Sequence, residues 1–392
     1  MIVLARIVFN SAIRMVYPFL PVFSRSLGVD IKTLSSAVSL RSAAGALGPF
    51  LASVADSRSR KTGMLFGVLL FTIGVGVIAI KPTFPMFVLF LILSLVGNLV
   101  FVPAMQAYFG DWIPYRQRGL VMSLTEYGWS LSFLIGVPLI GFLIARYNWW
   151  SPFPFLTGLG VFFFLALFFI LPGNSDTPTI KPNIFRNIKS ILTHPPALAG
   201  IMIAILISCS NELVNLIFGV WLEDTFAVQI SALAMASAVI GFAELGGEAI
   251  VSLIVDKLGK KRSVFFGISL NAIACLSLPL LSQNLIGAYL GLFFFYLTFE
   301  FTLVSSIPMM SELYPPARAT MLSLNIAGMA IGRAVGAQLS PFLYEIGMAK
   351  FVLFSGLGLV ILGSIVLDFF AILALKVIPH ESVLADEQVS YP

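Results

Sequence analysis

The residues with chemical potential in this chain are charges set inside apolar runs. Glu244 and Glu248 lie one helical turn apart, Tyr296 precedes Glu300 by the same step, and Glu212 is flanked by Asn211 and Asn215. Residues three and four apart share a helix face, so Asn10, Arg14 and Tyr17 form one polar stripe, with Pro18. Ser208, Asn211, Glu212 and Asn215 form another. A charge at the centre of a bilayer costs roughly 2.5–3.5 kcal/mol, so such groups face a cavity or one another. Two neighbouring carboxylates do not both ionise easily, which is how an acid becomes a proton carrier. Glu212, Glu244, Glu248 and Glu300 are therefore the proton-coupling candidates. The competing reading pairs these acids with Arg333 or Arg41 as fixed interhelical ion pairs.

The elements that must position these residues are membrane helices. The chain has 392 residues, is 59% hydrophobic and 10% charged, and has a mean hydropathy of +1.00. Soluble domains carry about 25% charged residues, so this chain cannot cover itself with a water-facing surface. It reads as an all-α polytopic membrane protein. Its apolar runs are continuous rather than alternating, which excludes a β-barrel. Windows of membrane-spanning length predict twelve transmembrane helices, at 3–23, 33–55, 62–80, 85–109, 119–145, 152–171, 197–221, 230–254, 263–281, 285–310, 319–345 and 350–376. The first run carries Arg6, Asn10 and Arg14, which the core of a cleavable signal would exclude, so it is expected to be retained. Asp368 is placed near the end of the last span, within reach of the cytoplasmic interface.

The proline-rich, basic stretch 172–196 splits the spans six and six. The expected organisation is a bundle over 1–171, a cytoplasmic linker over 172–196, a second bundle over 197–378 and a cytoplasmic tail over 379–392. With both termini in the cytoplasm, inner loops hold fourteen Lys and Arg and outer loops five. That asymmetry, in a plasma or inner membrane, also accounts for the net charge of +5 without nucleic acid.

The halves repeat. ASVADSRSRK at 52–61 corresponds to SLIVDKLGKK at 252–261, so Asp56 and Asp256 lie 200 residues apart. DWIPYRQRG at 111–119 likewise corresponds to ELYPPARA at 312–319, with Arg118 and Arg318 again 200 apart. Two pseudo-symmetric six-helix bundles are thereby expected as parallel repeats. The basic loops resemble the G-x-x-x-D-[RK]-x-G-[RK]-[RK] signature of the major facilitator superfamily. The second copy departs only at its first glycine. The first has Ala52, Ser57 and Ser59 at three signature positions and keeps Asp56, Arg60 and Lys61. GVPLIG at 136–141 resembles the superfamily's G-P-x-x-G element, seen mostly in antiporters, with one residue inserted before Pro138. No basic residue lies in 96–110, where proton-coupled drug exporters of the superfamily carry an arginine.

The resemblance implies twelve helices in the major facilitator fold, with the first, seventh and tenth lining a central cavity. Asn10, Arg14, Tyr17, Asn211, Glu212, Asn215, Tyr296 and Glu300 then become solute-contact candidates, with Arg14 and Glu212 facing the same cavity. It also implies a conformational latch built from Asp56, Arg60, Lys61, Arg118, Asp256, Lys260, Lys261 and Arg318. Arg318 is the expected partner of Asp256, and Arg118 that of Asp56.

Other classes fall away. The histidines, His194 and His380, lie in the linker and tail, so no HExxH motif or histidine triad exists, and no Walker loop supports ATP-driven pumping. GVGVIA at 74–79 lacks the strand–helix setting of a dinucleotide site. A channel fits the six-plus-six repeat less well than alternating access. The expected activity is proton-coupled efflux of a small organic solute by a monomer that uses no cofactor and no metal. The alternatives are symport of a small anion or zwitterion, and transport of a lipid or lysolipid.

Overall fold

The computed structural model describes residues 1–48, 60–113, 125–172, 184–350 and 356–379, and among these every regular element is helical. We number the helices α1 Ile2–Arg14, α2 Leu20–Leu27, α3 Ile31–Gly45, α4 Arg60–Ile80, α5 Phe84–Trp112, α6 Thr125–Arg146 and α7 Pro152–Ile170. After these come α8 Ile184–Leu192, α9 Pro195–Phe226, α10 Ile230–Leu258, α11 Lys260–Leu281, α12 Leu285–Glu312, α13 Arg318–Lys350 and α14 Leu357–Leu375. By contacts the chain divides into two compact units. The first is Met1–Ile180 with Ala227–Gly241; the second is Lys181–Phe226 with Phe242–Pro392.

Nine of the described helices are long and apolar enough to cross a membrane: α4–α7, α9–α12 and α14. They coincide with nine of the predicted spans. The first predicted span differs, because it is broken between α1 and α2. Pro18 has no N–H to offer the Arg14 carbonyl, which takes the Tyr17 N–H instead at 3.2 Å. That tighter turn leaves the Ile13 carbonyl without its helical donor.

The first unit is packed with rings. Phe23, Phe87, Phe90 and Phe153 are fully buried, and Trp149 meets both Phe23 and Phe153 edge-on. Trp150 turns its indole N–H onto carbonyls of the last turn of α4, Ile78 at 3.2 Å and Ala79 at 3.0 Å. Within the second unit α9 is the most enclosed helix, with 83% of its most apolar window buried against 28–50% for the other eight. One wall of that enclosure is the small-residue ridge of α13. A Cβ at Gly332 would come within 2.2 Å of the Ile205 carbonyl oxygen, and one at Gly336 within 2.8 Å of the Cys209 carbonyl oxygen. Backbone therefore lies on backbone, as expected of small-xxx-small packing.

Asp368 is corrected. Its side chain is 2% exposed, and its Oδ2 is buried without a hydrogen-bond partner among the described residues. Ser210 and Ser364 hydroxyls lie 2.6 Å apart, and the Cys275 sulfur is 3.4 Å from Ser364. Position along a span does not reveal which way a side chain points. Here the face shared with Ser364 turns inward, onto α9 and α11.

Candidate functional site

In the first unit the polar stripe of α1 lies along the start of α6. Arg6 makes a two-pronged bond to Glu126, at 2.9 and 2.7 Å. One turn on, the Asn10 amide donates to the Gly128 carbonyl at 3.0 Å. A further turn on, Arg14 donates to the Trp129 carbonyl at 2.8 Å. Its guanidinium is sandwiched between two rings, 4.1 Å from the Trp129 centroid and 3.5 Å from that of Phe133. Arg41, from α3, closes the break in the first span. It donates to the orphaned Ile13 carbonyl at 3.0 Å and to the Tyr17 hydroxyl at 2.8 Å. Arg41 thus serves backbone and phenol rather than an acid, which sets aside the ion-pair role expected for it.

The carbonyls that Asn10 and Arg14 reach stand just before an irregular turn. Residues Ser132–Gly136 form a π-helical turn, and the Val137 N–H bonds to the Ser132 carbonyl, five residues back. Pro138 lacks the N–H that a regular helix would need there. The inserted residue in GVPLIG is taken up by this wider turn. Both glycines of the element are close-approach positions. A Cβ at Gly136 would overlap the Ser11 hydroxyl, and one at Gly141 would come within 2.8 Å of the Phe19 ring and 2.7 Å of Ala234.

The second unit is arranged differently. On the continuous α9, Ser208, Asn211, Glu212 and Asn215 keep their shared face and all are buried. The Tyr296 hydroxyl of α12 donates to the Asn215 side-chain oxygen Oδ1 at 2.6 Å, and the Asn215 Nδ2 amide donates to Glu212 at 3.2 Å. Gly336 makes room for the Glu212 side chain, whose Cβ lies 2.8 Å from where a Cβ at that glycine would stand. Ser208 Oγ and Asn211 Nδ2 are buried and bond to nothing among the described residues. Glu300 is buried on α12, and the Gly246–Gly247 pair of α10 packs on it; a Cβ at Gly247 would lie 2.9 Å from Glu300 Cβ. Glu244 is buried and Glu248 half-buried on the helix that carries this pair.

The latch candidates separate. Asp56 and Arg118 lie outside the described residues. Lys61 reaches the end of α7, donating to the Phe168 carbonyl at 2.7 Å and the Leu171 carbonyl at 2.5 Å. Lys261, 200 residues later, donates to the Ile378 carbonyl just beyond α14. Each lysine closes the carboxyl end of its unit's last span, where cations are favoured. Lys260 bonds to Glu312 at the end of α12. Arg60 is half-buried, and Asp256 and Arg318 are exposed. The Lys260–Glu312 pair was not anticipated, although the repeat that aligns Glu312 with Asp111 had flagged the position.

Comparison with known proteins agrees with this architecture. The Major Facilitator Superfamily model matches residues 2–302 and 201–389. An uncharacterized MFS-type transporter, YceJ of Bacillus subtilis (strain 168), is 28% identical over 84% of each chain. Multidrug resistance protein 2 of the same organism is 21% identical over 88% of this chain and 90% of its own. Among solved structures, a D-xylose-proton symporter superposes with a TM-score of 0.76 at 19% identity, covering 96% of both chains.

Proposed function

The chain belongs to the major facilitator superfamily, whose members are transporters rather than enzymes, and from that premise we propose that it exports a small amphipathic solute in exchange for protons. The observation that carries the solute site is the buried chain Tyr296–Asn215–Glu212, beside which Ser208 Oγ and Asn211 Nδ2 keep hydrogen-bonding capacity. A buried polar group without a partner is costly, on the order of 1–3 kcal/mol, and a solute that bonds to it recovers that cost. Glu212 is the acid of this face, so the preferred solute carries a donor or a positive charge to meet it, together with an acceptor for Asn211 Nδ2. Asn10 and Arg14 act from the first unit by holding α1 against α6. Likeness to a protein named for multidrug resistance supports export.

The proton route in this reading runs through Glu300 and the α10 pair, Glu244 and Glu248, because Gly247 brings those helices into contact at Glu300. The basic loops, fourteen charges against five, support an orientation with both termini in the cytoplasm.

The test is transport by proteoliposomes under an imposed pH gradient, with a panel of cationic, zwitterionic and anionic amphiphiles. Gradient-driven movement of cationic members, lost in Glu212→Gln, supports the reading. For Glu244→Gln and Glu248→Gln, the coupling variant keeps pH-independent exchange and loses accumulation. Movement of anionic members alone, or accumulation unchanged in all three variants, contradicts it.

A further inference from the structure

Two openings of ≈ 480 Å³ each lie along α11 and α14 in the second unit. One is at the start of α11, ringed by Lys257, Lys261, Arg262 and Lys376 with Asp256 as the single acid. Its walls are apolar: Phe265, Ile372 and Leu375. The other is wholly apolar, formed by Leu276, Pro279 and Leu280 of α11 and Leu359, Leu362 and Ile365 of α14.

Helical spacing joins them. Phe265 and Leu276 are eleven residues apart, three turns, and Ile365 and Ile372 are seven apart, two turns. Both openings therefore lie on one face of each helix, and together they mark one crevice. The step from Phe265 to Leu276 is about 16 Å at 1.5 Å per residue. That is about half of the ~30 Å hydrocarbon core, the depth reached by one acyl chain.

The charges at the mouth are available. Lys261 is engaged with the Ile378 carbonyl and Lys260 with Glu312, but Lys257, Arg262 and Lys376 are exposed. Leu276, Leu280 and Leu362 further along are exposed too, at 57%, 68% and 55%, which in a membrane chain means exposed to lipid. A soluble anion would use the charges and ignore the groove. A neutral lipid would use the groove and ignore the charges.

We propose that this crevice is a binding site for an anionic phospholipid. The headgroup phosphate is held by Lys257, Arg262 and Lys376, and one acyl chain lies between α11 and α14. Arg262 suits a phosphate because its planar fork can bond to two oxygens at once, and basic pockets between membrane helices are recognised headgroup sites. None of the three belongs to the solute face.

The test is native mass spectrometry of the full chain equilibrated with equal phosphatidylglycerol and phosphatidylcholine. Replacing the three cations (Lys257→Gln, Arg262→Gln, Lys376→Gln) is expected to lower retained phosphatidylglycerol at least tenfold. A control that removes three exposed cations elsewhere (Lys32→Gln, Arg186→Gln, Lys189→Gln) should change it less than twofold. Filling the groove with Leu276→Trp and Leu362→Trp should also lower retention, independently of charge. Equal loss in control and test variants overturns the site. So does full competition by millimolar glycerol phosphate, which would mark a soluble-anion pocket. Higher lipid occupancy after deletion of residues 380–392 would assign the pocket to the tail instead.

Discussion

The first span of the first unit and the first span of the second carry comparable polar stripes and use them in opposite ways. In α1 the stripe works on backbone: Asn10 on Gly128, Arg14 on Trp129, with Arg41 reaching in to Ile13. In α9 Asn215 bonds to Glu212 and accepts from Tyr296, side chain to side chain. The difference traces to continuity. Pro18 breaks the α1–α2 run, so the orphaned Ile13 carbonyl stands in an apolar setting and must be satisfied, whereas Asn10 and Arg14 tie α1 to carbonyls just before the π turn of α6. α9 runs unbroken over 32 residues and makes no such demand. In the proposed reading the polar residues of α9 serve the solute, while those of α1 hold α1 against α6.

The sharpest test of that contrast is transport by Glu212→Gln. Removing a buried charged hydrogen-bonding group, worth up to about 3 kcal/mol, should lower solute transport by about 100-fold while the melting temperature holds. The mirror test is Arg14→Met, which should cost about 2 kcal/mol of stability through the lost ring sandwich and the lost charged bond to the Trp129 carbonyl. An Arg14→Met protein of normal melting temperature that no longer binds solute would break the contrast. A double-mutant cycle comes next in size. Arg41→Met should destabilise the parent and be nearly neutral with Pro18→Ala, because a mended helix returns the Ile13 carbonyl to Tyr17. The coupling expected is about 1 kcal/mol. The smallest effect tests where the units agree: Lys61→Met and Lys261→Met should each cost roughly 0.3–1 kcal/mol in thermal melts, and by similar amounts. A tenfold disparity in the unfolding constants would show that the two lysines are not equivalent.

Much of this was legible in advance. Apolar runs gave nine spans to within a few residues, and the 200-residue offset led to Lys61 and Lys261. Helical spacing put Glu212 and Asn215 on one face, and the family resemblance, not spacing, set Tyr296 beside them. What spacing could not say is which partner a charge would choose. Arg41 looked like an ion-pair partner because its alternatives, a carbonyl freed by a proline 23 residues away in α1–α2 and a tyrosine beside it, exist only once the chain is folded. Asp368 looked interfacial because the axial position of a residue is visible in sequence and its azimuth against neighbouring helices is not. The proline itself was visible, and asking which carbonyl it strands would have led to Arg41.

The π turn at Ser132–Gly136 has a rotational consequence. Each residue of an α-helix advances its successor by about 100° around the axis. Had the residue added before Pro138 been wound into regular helix, everything beyond it would be turned by that angle. Gly141 would then leave Phe19 and Ala234, and a bulkier neighbour would arrive in its place. By absorbing the extra residue in one wide turn, α6 acts as a phase corrector, and the azimuth of its far half becomes independent of the length of its near half. Deleting Val137 should for that reason convert the turn to regular α-helix and leave Gly141 pointing where it does now.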